Sequence, residues 1–443
     1  MRKAALHNLG CKVNSYETDA MAQLLEKAGY EIVPFSEIAD VYIVNTCSVT
    51  NMADRKSRQM LHKAKKQNPD AVVVATGCYV QTAVDKVKED LAIDIIIGNN
   101  KKKEVVPILE EYFKENEKDF VIDINNTSEY EDLEISTVTE HTRAHMKIQD
   151  GCNNFCSYCI IPYARGRIRS RKMDSIREEM VRLAEKGFKE IVLTGINLGC
   201  YSDGEKTLID VIEMADEIEG IERVRLGSLD PEVITPDFVE RIGKCRKICP
   251  HFHLSLQSGC NNTLKAMNRH YTAEEYFEKC EMLRSVFENP AFTTDIIVGF
   301  PGESDEDFEA SLDFAKKVEF SRIHVFKYSK RDGTVAAKMP NQVDERIKTK
   351  RSDILIATGE ELVKKYNENK LGTYDFVLWE ERKQINGREY WVGHTTDYVE
   401  VALETDEELA GKIQKVALKD IINQEIILAT HICNDAYNGK KRT

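Results

Sequence analysis

The sequence predicts a multidomain α/β protein with an N-terminal parallel α/β domain, a central partial (β/α)6 barrel and a small C-terminal all-β barrel. Two series of short apolar runs alternate with amphipathic helical patterns, and a tail of strands without helices follows them. The length of 443 residues agrees with several domains, because a single hydrophobic core rarely grows beyond about 250 to 300 residues.

The N-terminal domain is predicted over residues 1–125. Its apolar runs AALHNLG, VYIVNT, AVVVATG and IDIIIG are separated by helical patterns at 16–28 and 51–67. This alternation is typical of a parallel sheet, in which the carboxyl ends of the strands share one edge. An acidic stretch with little periodicity follows at 126–142 and is interpreted as a linker.

The central domain is predicted over residues 143–370. Six strand patterns, AHMKIQ, EIVLTG, RVRLGS, FHLSLQ, TTDIIVGF and RIHVFKYS, alternate with helical stretches over about 190 residues, whereas a complete eight-stranded barrel usually takes about 250. The spacing therefore predicts a partial barrel. Its active-site residues are expected directly after the carboxyl ends of the strands.

The C-terminal domain is predicted over residues 371–436. Alternating segments such as TYDFVLW, REYWVGH, YVEVAL and KIQKVAL indicate a small all-β barrel, a class that often binds nucleic acid. Trp391 and Tyr398 are candidates either for stacking on nucleic acid bases or for the core of this domain.

The composition predicts a cytoplasmic protein. The sequence shows no signal-peptide pattern and no apolar run of about 18 residues, so no membrane is expected as partner. Twelve cysteines in such a chain favour metal or redox chemistry over disulfides. The net charge of -13 argues against nucleic acid as partner, but basic residues are concentrated locally, with five in the eight residues 165–172.

Three cysteines directly follow the first strand of the central domain. Cys152, Cys156 and Cys159 have the spacing C-x3-C-x2-C, with no fourth ligand nearby. Three clustered thiolates suit an iron–sulfur cluster in which one iron stays open for another molecule. The alternatives are a zinc knuckle and buried free cysteines, although structural zinc usually takes four protein ligands.

Three further cysteines each follow an apolar strand of the N-terminal domain. Cys11, Cys47 and Cys78 stand in HNLGC, IVNTC and VATGC, so a parallel sheet would bring them to one edge, where a second cluster could form. The alternative is that they are small buried hydrophobic residues. The other six cysteines are predicted to be structural, although Cys260 also follows a strand and is a weaker candidate for lining the site: Cys200, Cys245, Cys249, Cys260, Cys280 and Cys433.

Three long motifs resemble those of the radical S-adenosylmethionine methylthiotransferases: GCNNFCSYCIIPYARGRIRSR, HLSLQSGCNNTLKAMNRHYT and TTDIIVGFPGESDEDF. The resemblance extends over nearly the whole chain and implies that the C-terminal barrel is a TRAM domain. GCKVNSYET and NTCSVT most resemble the branch that converts N6-threonylcarbamoyladenosine, 3' of the anticodon in tRNA, to its 2-methylthio form. The isopentenyladenosine branch usually has a motif closer to GCQMN, and the ribosomal-protein branch one closer to GCPKN.

The resemblance implies two [4Fe-4S] clusters and S-adenosylmethionine as cofactors. The central trio of cysteines would hold the cluster that binds S-adenosylmethionine and cleaves it to a 5'-deoxyadenosyl radical, and the N-terminal trio would hold an auxiliary cluster that carries the sulfur. No catalytic residues are expected beyond these ligands, and the electron donor and the sulfur source stay unidentified. Candidates for contacts to S-adenosylmethionine, with turn and capping roles as the alternative, are Thr194, Gly195, Ser228, Gln257 and Arg269.

A tRNA anticodon stem-loop is the expected partner, because chemistry on C2 of adenine requires an exposed base and an anticodon loop offers unstacked bases. Arg165, Arg167, Arg169 and Arg171 follow the cluster loop and are predicted to bind RNA phosphates, with a solvated charged face as the alternative. The rival functions are the same chemistry on isopentenyladenosine in tRNA or on a ribosomal protein, and a non-catalytic iron–sulfur RNA-binding protein.

Overall fold

A computed structural model describes residues 1–115, 117–135, 142–423 and 425–432. The prediction for Cys433, the end of the predicted C-terminal domain and residues 136–141 of the predicted linker lie outside the described residues. No helix in these ranges is long and apolar enough to cross a membrane.

The N-terminal domain is a six-stranded parallel sheet in the order β2-β1-β3-β4-β5-β6. Apolar residues of α1 and α5 pack on one face of the sheet, and those of α2, α3 and α4 pack on the other. Both faces are therefore covered, which explains the nearly continuous apolar strand sequences. The elements are β1 (Lys3–Asn8), α1 (Lys12–Lys27), β2 (Glu31–Ile32), β3 (Val41–Thr46), α2 (Asn51–Gln67), β4 (Val72–Gly77), α3 (Cys78–Thr82), α4 (Val84–Lys88), β5 (Ile95–Ile97), α5 (Val105–Glu115) and β6 (Asp119–Phe120).

The central domain contains the six predicted parallel strands. They form two sheets, β13-β10-β7 and β14-β15-β16, which parallel bridges from Val224 to Ile248 and from Leu229 to Leu254 join into one partial barrel. The elements are β7 (Ala144–Lys147), β8 (Gln149–Asp150), α6 (Ile161–Arg165), β9 (Arg169–Ser170), α7 (Met173–Glu185), β10 (Glu190–Thr194), β11 (Ser202–Asp203), β12 (Lys206–Thr207), α8 (Leu208–Glu217), β13 (Arg223–Leu226), α9 (Pro236–Ile242), β14 (His251–His253), α10 (Asn261–Ala266), α11 (Ala273–Arg284), β15 (Ala291–Val298), α12 (Asp305–Val318), β16 (Arg322–Lys327) and α13 (Glu345–Glu368).

The two faces of these six strands differ in polarity. Successive side chains of a strand point to opposite faces, and one face, with Val224, Phe252 and Phe292, is buried beneath the helices in the main apolar core. The other face encloses a cleft that we call the barrel lumen. The polar residues on this inner face include His145, Glu190, Arg223, Arg225, His251, His253, Thr293, Asp295 and His324.

The C-terminal domain is a closed five-stranded barrel in the order β17-β18-β19-β21-β20. Trp391 is 4% exposed and lies in its core beside Trp379, so it does not stack on nucleic acid bases as one alternative predicted. Tyr398 lies outside this core and packs against Arg225, with the guanidinium 4.7 Å from the ring centre. The strands are β17 (Tyr374–Ile385), β18 (Arg388–His394), β19 (Glu400–Leu403), β20 (Ile413–Ile422) and β21 (Ile426–His431).

The domains are joined through polar contacts and through the predicted linker. Arg223 donates to the carbonyl oxygens of Phe376 and His394, and Arg225 donates to those of Thr395 and Thr396, at 2.6 to 3.2 Å. The C-terminal barrel thus docks against the inner-face arginines. In the described part of the linker, Leu133 and Ile135 are buried in the core of the central domain.

Candidate active site

The first candidate site, which we call the central cysteine site, consists of Cys152, Cys156 and Cys159 in the loop after β8. Gly151 begins this loop with a φ of +73°, and a Cβ there would lie 1.9 Å from the carbonyl oxygen of Arg167. Only glycine fits such a close approach of two backbone segments. The Cys159 amide donates to the Cys156 carbonyl at 2.9 Å, and this turn brings the last two cysteines close together.

Polar side chains from the loop itself and from segments that follow other strands support the central cysteine site. Arg269 donates to the Cys156 Sγ at 3.3 Å and forms an ion pair with Asp230 at 2.8 Å. Asn154 donates to the same carboxylate at 3.0 Å, and Asn197 reaches the Cys152 Sγ at 3.8 Å. Thiolate sulfur is a weak acceptor, so a charged donor such as Arg269 offers the strongest stabilisation of negative charge there.

The thiols of the central cysteine site are tuned by burial and by one another. Burial and the neighbouring Cys156 raise the pKa of Cys159 to about 12, and burial likewise raises the pKa of Cys152. Without a metal these two thiols are therefore protonated at neutral pH. Iron would displace their protons on binding, as metals do at thiolate sites.

The second candidate site, which we call the N-terminal cysteine site, consists of Cys11, Cys47 and Cys78. Cys11 is the N-cap of α1, Cys47 directly follows β3, and Cys78 is the first residue of α3 after β4. A Cβ on Gly10 would lie 3.1 Å from the Cys47 Cβ, so the loops carrying Cys11 and Cys47 touch. The structure thus brings the three thiols to one edge of the sheet, and burial, then the nearby Cys78 and Cys11, raises the pKa of Cys47 to about 11.

The sulfur atoms of each trio are too far apart to bind one tetrahedral zinc ion together. Tetrahedral zinc with Zn–S bonds of about 2.3 Å places its sulfur ligands less than about 4 Å apart. In the part of the chain that the structure describes, neither cysteine trio has its sulfur atoms all within 4.8 Å of one another. Both donor sets are all-thiolate, which suits an iron–sulfur cluster.

Arg165 connects the two sites. It is the last residue of α6, which begins two residues after Cys159, and its Nε donates to the Cys78 Sγ at 3.3 Å. Its guanidinium also forms an ion pair with Glu17 and donates to the Asn14 Oδ1 at 2.5 Å. The Arg165 side chain is fully buried. A residue of the central domain therefore completes the N-terminal cysteine site.

A buried charge network surrounds Arg165 at the interface of the two domains. Glu17 lies 2.9 Å from Lys102 and 2.8 Å from Lys147, and Asp150 lies 2.7 Å from Lys147. Burial alone would raise the pKa of Glu17, but Arg165, Lys102 and Lys147 hold it well below its usual range. Glu17 is therefore ionised at neutral pH.

The prediction that four arginines bind RNA is wrong for three of them. Arg165, Arg169 and Arg171 are 0%, 3% and 0% exposed. Each forms a buried ion pair, with Glu17, Asp150 and Glu179 respectively. Arg167 is exposed and lies over the Phe155 ring at 4.5 Å. It alone of the four can reach a phosphate.

The five candidates for contacts to S-adenosylmethionine lie at or after the carboxyl ends of barrel strands. Thr194 is buried at the end of β10, and a Cβ on Gly195 would lie 2.9 Å from the Gln149 Oε1. Ser228 is exposed after β13. Gln257 has a φ of +68°, and its backbone amide and carbonyl bond to Asp295 and Ile297 between β14 and β15. Arg269 contacts the central cysteine site directly, as described above.

Several residues of both sites carried no signal in the sequence. Asn14 lies one helical turn after Cys11 and donates to the Thr46 carbonyl at 3.0 Å, and Asn99 reaches the Cys78 Sγ at 3.9 Å. Asp230 lies in the loop after β13, and Asn154 follows Asn153 within the cysteine loop itself. Cys260 instead donates to Asp307 at 3.0 Å, and it does not join either site.

The comparisons with known proteins agree with this arrangement. Residues 146–315 match the Radical SAM superfamily, and residues 3–98 match Uncharacterized protein family UPF0004. The threonylcarbamoyladenosine tRNA methylthiotransferase MtaB of Bacillus subtilis is 40% identical, with 94% of each chain covered. A tRNA-2-methylthio-N(6)-dimethylallyladenosine synthase of Carboxydothermus hydrogenoformans is 37% identical, covering 93% of this chain and 95% of its own.

A solved structure shares the fold. The radical S-adenosylmethionine methyltransferase TsrM from Kitasatospora setae superposes with a TM-score of 0.56 at 15% identity, covering 74% of this chain and 73% of its own. At this identity the likeness concerns the fold alone. Three findings agree: the relatives matched over most of the chain, the radical SAM match, and the cysteine loop after the first barrel strand. This chain therefore belongs to the radical S-adenosylmethionine methylthiotransferase family, where it most resembles the threonylcarbamoyladenosine branch.

Proposed function

We propose that this enzyme adds a methylthio group to C2 of N6-threonylcarbamoyladenosine at the position 3' of the anticodon in tRNA. The observation that carries the proposal is the pair of all-thiolate sites joined through Arg165, in a chain whose relatives at 36 to 40% identity include threonylcarbamoyladenosine tRNA methylthiotransferases. One site alone would suffice for radical chemistry. A second site is needed to deliver sulfur.

In this proposal Cys152, Cys156 and Cys159 would hold one [4Fe-4S] cluster, which would bind S-adenosylmethionine, and Cys11, Cys47 and Cys78 would hold a second [4Fe-4S] cluster. When bound, these groups supply the hydrogen abstraction and the sulfur. Arg269 and Arg165 each donate to one cysteine sulfur at 3.3 Å and offset the negative charge of the thiolates. Thr194, Gly195, Ser228 and Gln257 line the strand ends where S-adenosylmethionine binds.

The protein presents the target base between the two sites. Cys11 lies at the surface of the domain and Cys47 is partly exposed, whereas Cys78 is buried against Arg165. An adenine flipped from the anticodon loop can enter the lumen at the cost of a few kcal/mol of unstacking. The closed C-terminal barrel is assigned as a TRAM-like domain that binds the tRNA stem, together with Arg167. A cytoplasmic location stays a prediction.

The nucleoside profile of tRNA tests the proposed substrate. Deletion of the gene is expected to remove 2-methylthio-N6-threonylcarbamoyladenosine and to leave unmethylthiolated N6-threonylcarbamoyladenosine in its place, as measured by mass spectrometry. Restoring the gene is the control. Loss of 2-methylthio-isopentenyladenosine instead would replace the proposed substrate with the rival one, and an unchanged profile would reject both.

The rival from another class, a non-catalytic iron–sulfur RNA-binding protein, makes a different prediction. Reduced protein with its clusters assembled is expected to release 5'-deoxyadenosine from S-adenosylmethionine. A variant with the central cysteine site replaced by alanines provides the background rate. Equal amounts of 5'-deoxyadenosine from both proteins would favour the non-catalytic alternative.

A further inference from the structure

A short segment after the last barrel strand contacts the N-terminal domain close to Cys47. The segment is residues 329–336, which begin two residues after the end of β16, and we call it the bridging segment. The Ser329 Oγ accepts from the backbone amide of Asn51 at 3.2 Å, and the Lys330 carbonyl accepts from the Asn51 side chain at 3.1 Å. Asn51 is the first residue of α2, four residues after Cys47. The bridging segment therefore reaches the turn that follows Cys47.

Arg331 provides the charged contacts of the bridging segment. Its guanidinium donates to the Ser48 Oγ and to the Asn51 Oδ1, each at 2.7 Å, and forms an ion pair with Asp54 at 2.7 Å. Arg331 is 7% exposed, and hydrogen bonds that involve an ionised group are roughly twice as strong as neutral ones. One side chain of the central domain therefore holds three residues at the start of α2.

A chain of hydroxyl groups extends this contact to Cys78. The Ser48 Oγ lies 3.1 Å from the Thr82 Oγ1, and Thr82 donates to the Cys78 carbonyl at 3.0 Å. Because a hydroxyl group has a single proton, Ser48 donates to Thr82 and accepts from Arg331. Ser48 directly follows Cys47 in the chain. The Arg331 guanidinium is thus joined by hydrogen bonds to the segments that carry two of the three N-terminal cysteines.

The backbone of Cys47 is bonded to the same helix. Its amide donates to the Oγ of Ser57 at 3.3 Å, and Ser57 is fully buried within α2. Arg331 in turn bonds the first turn of α2 to the central domain. Arg331 therefore helps to fix the position of Cys47 relative to the barrel.

The other end of the bridging segment contacts the central cysteine site. The Ala336 amide donates to the carbonyl of Ser157 at 2.7 Å, and Ser157 belongs to the central cysteine loop. Ala336 is fully buried. Between the two ends, the Thr334 hydroxyl donates to the Arg331 carbonyl at 2.7 Å and folds the segment into a turn. Eight residues therefore extend from the Cys47 turn to the central cysteine loop.

We propose that the bridging segment is a second connection between the two cysteine sites, and that Arg331 is a positioning residue for the transfer of sulfur. This inference rests on the proposed function, in which groups held by two different domains act on one carbon. A displacement of about 1 Å at a reacting group can lower a rate about 100-fold. Arg331 acts through Ser48 and α2, whereas Arg165 donates to a cysteine sulfur directly.

The test measures two products of the reconstituted enzyme on an anticodon stem-loop RNA that carries N6-threonylcarbamoyladenosine. Arg331→Gln is expected to lower kcat for methylthiolation about 10- to 100-fold, because the N-terminal cysteine site shifts. Formation of 5'-deoxyadenosine, which depends on the central cysteine site, should be unchanged. KM for the RNA should also be unchanged, since the buried guanidinium is already paired with Asp54.

A second variant tests the chain of hydroxyl groups. Ser48→Ala removes the connection to Thr82 but keeps Arg331 paired with Asp54. Its loss of methylthiolation is expected to be smaller than that of Arg331→Gln. The double variant should lose no more than Arg331→Gln alone, because residues that act through one network are not additive.

A third measurement requires no bound cluster. In the reduced, metal-free protein, amide hydrogen exchange of residues 47–57 is expected to be about tenfold faster in Arg331→Gln, as for the loss of a charged hydrogen bond that limits local opening. Exchange of residues 12–27, in α1 on the opposite face of the sheet, should be unchanged. A loss of stability of the whole domain would accelerate both segments.

Arg241→Gln is the matched control. Arg241 forms ion pairs with Asp210 at 2.9 Å and with Glu213 at 2.6 Å, between α9 and α8 on the outside of the barrel. The variant loses a comparable set of contacts away from both cysteine sites. Both products and the exchange of residues 47–57 should therefore be unchanged.

The possible outcomes are distinct. Unchanged methylthiolation in Arg331→Gln, or an equal loss of both products, would overturn the positioning role. Faster exchange throughout the N-terminal domain, without an excess at residues 47–57, would overturn it as well. If the wild-type enzyme forms no 2-methylthio product on this RNA, the proposed function itself fails, whereas hydrogen exchange still decides whether Arg331 holds the Cys47 turn.

Discussion

The two cysteine sites of this enzyme hold the same donor set but are built in different ways. The central cysteine site is one loop of eight residues, 152–159, and the arginine that contacts it, Arg269, belongs to the same domain. The N-terminal cysteine site assembles from three strand ends, and its arginine, Arg165, comes from the other domain. A local motif therefore creates the first site, whereas sheet topology and domain packing create the second.

The two sites are also linked through the chain. Helix α6 begins at Ile161, directly beyond the central loop, and ends at Arg165, whose guanidinium contacts Cys78. The central loop and the N-terminal cysteine site are therefore connected through five residues of helix.

The largest expected effect comes from replacing whole sites. With Cys11, Cys47 and Cys78 changed to alanine, iron is expected to fall from about eight to about four atoms per chain, as for one of two four-iron clusters. Formation of 5'-deoxyadenosine should persist while methylthiolated RNA is lost. Replacing the three central cysteines should abolish both products. Iron assays and mass spectrometry measure these effects, and unchanged iron in the N-terminal variant would show that those thiols are structural.

The next effect distinguishes the two arginines. Arg165→Gln leaves the fully buried Glu17 and Asp150 short of a partner, so the free energy of unfolding of the reduced, metal-free protein is expected to fall by about 3 kcal/mol. Arg269→Gln is expected to cost about 1 kcal/mol, because its partner Asp230 keeps access to water and stays bonded to Asn154. Urea unfolding compares the matched variants. Equal losses would show that domain packing does not distinguish the sites.

Much of this architecture could be predicted from the sequence. Local patterns of apolar residues, each followed by glycine or polar residues, indicate where the strands end. These patterns are enough to predict the six barrel strands and the positions of the six cluster cysteines. The structure confirms the parallel sheets and places both cysteine trios where those patterns indicate. In a parallel sheet, knowing that Cys11, Cys47 and Cys78 each follow a strand is enough to bring them to one edge.

The arginines could not be interpreted in the same way. Whether the stretch 165–171 is exposed depends on Glu17 and Asp150, which neutralise Arg165 and Arg169, and on Glu179, which neutralises Arg171. Glu17 is about 150 positions away in the sequence, and nothing near either residue shows that they meet.

Acid is expected to weaken the N-terminal cysteine site through Glu17. Its pKa is held below the unfolded value by Arg165, Lys102 and Lys147, so its contribution to stability is complete above about pH 4.5 and is lost as the pH falls toward the folded pKa. Below about pH 4.5, the unfolding free energy should fall by up to about 1.4 kcal/mol per pH unit through this proton. Denaturant titrations of metal-free wild type and Glu17→Gln measure the slope. The variant should lack this component, and identical slopes would contradict the role of Glu17.

The smallest expected effect concerns the one exposed arginine of the stretch that joins the sites. Arg167 forms no ion pair with any described carboxylate and lies over Phe155, so Arg167→Gln should leave folding and iron content unchanged. Loss of one phosphate contact is expected to lower affinity for the anticodon stem-loop about threefold and to reduce the slope of log affinity against log salt by about 0.7 to 0.9. The matched control is Arg246→Gln, whose side chain is 73% exposed before β14, at the end of the barrel opposite the cysteine loop. Equal salt slopes for the two variants would mean that RNA does not approach along the central cysteine loop. The buried arginines beside Arg167 would then have a structural role only.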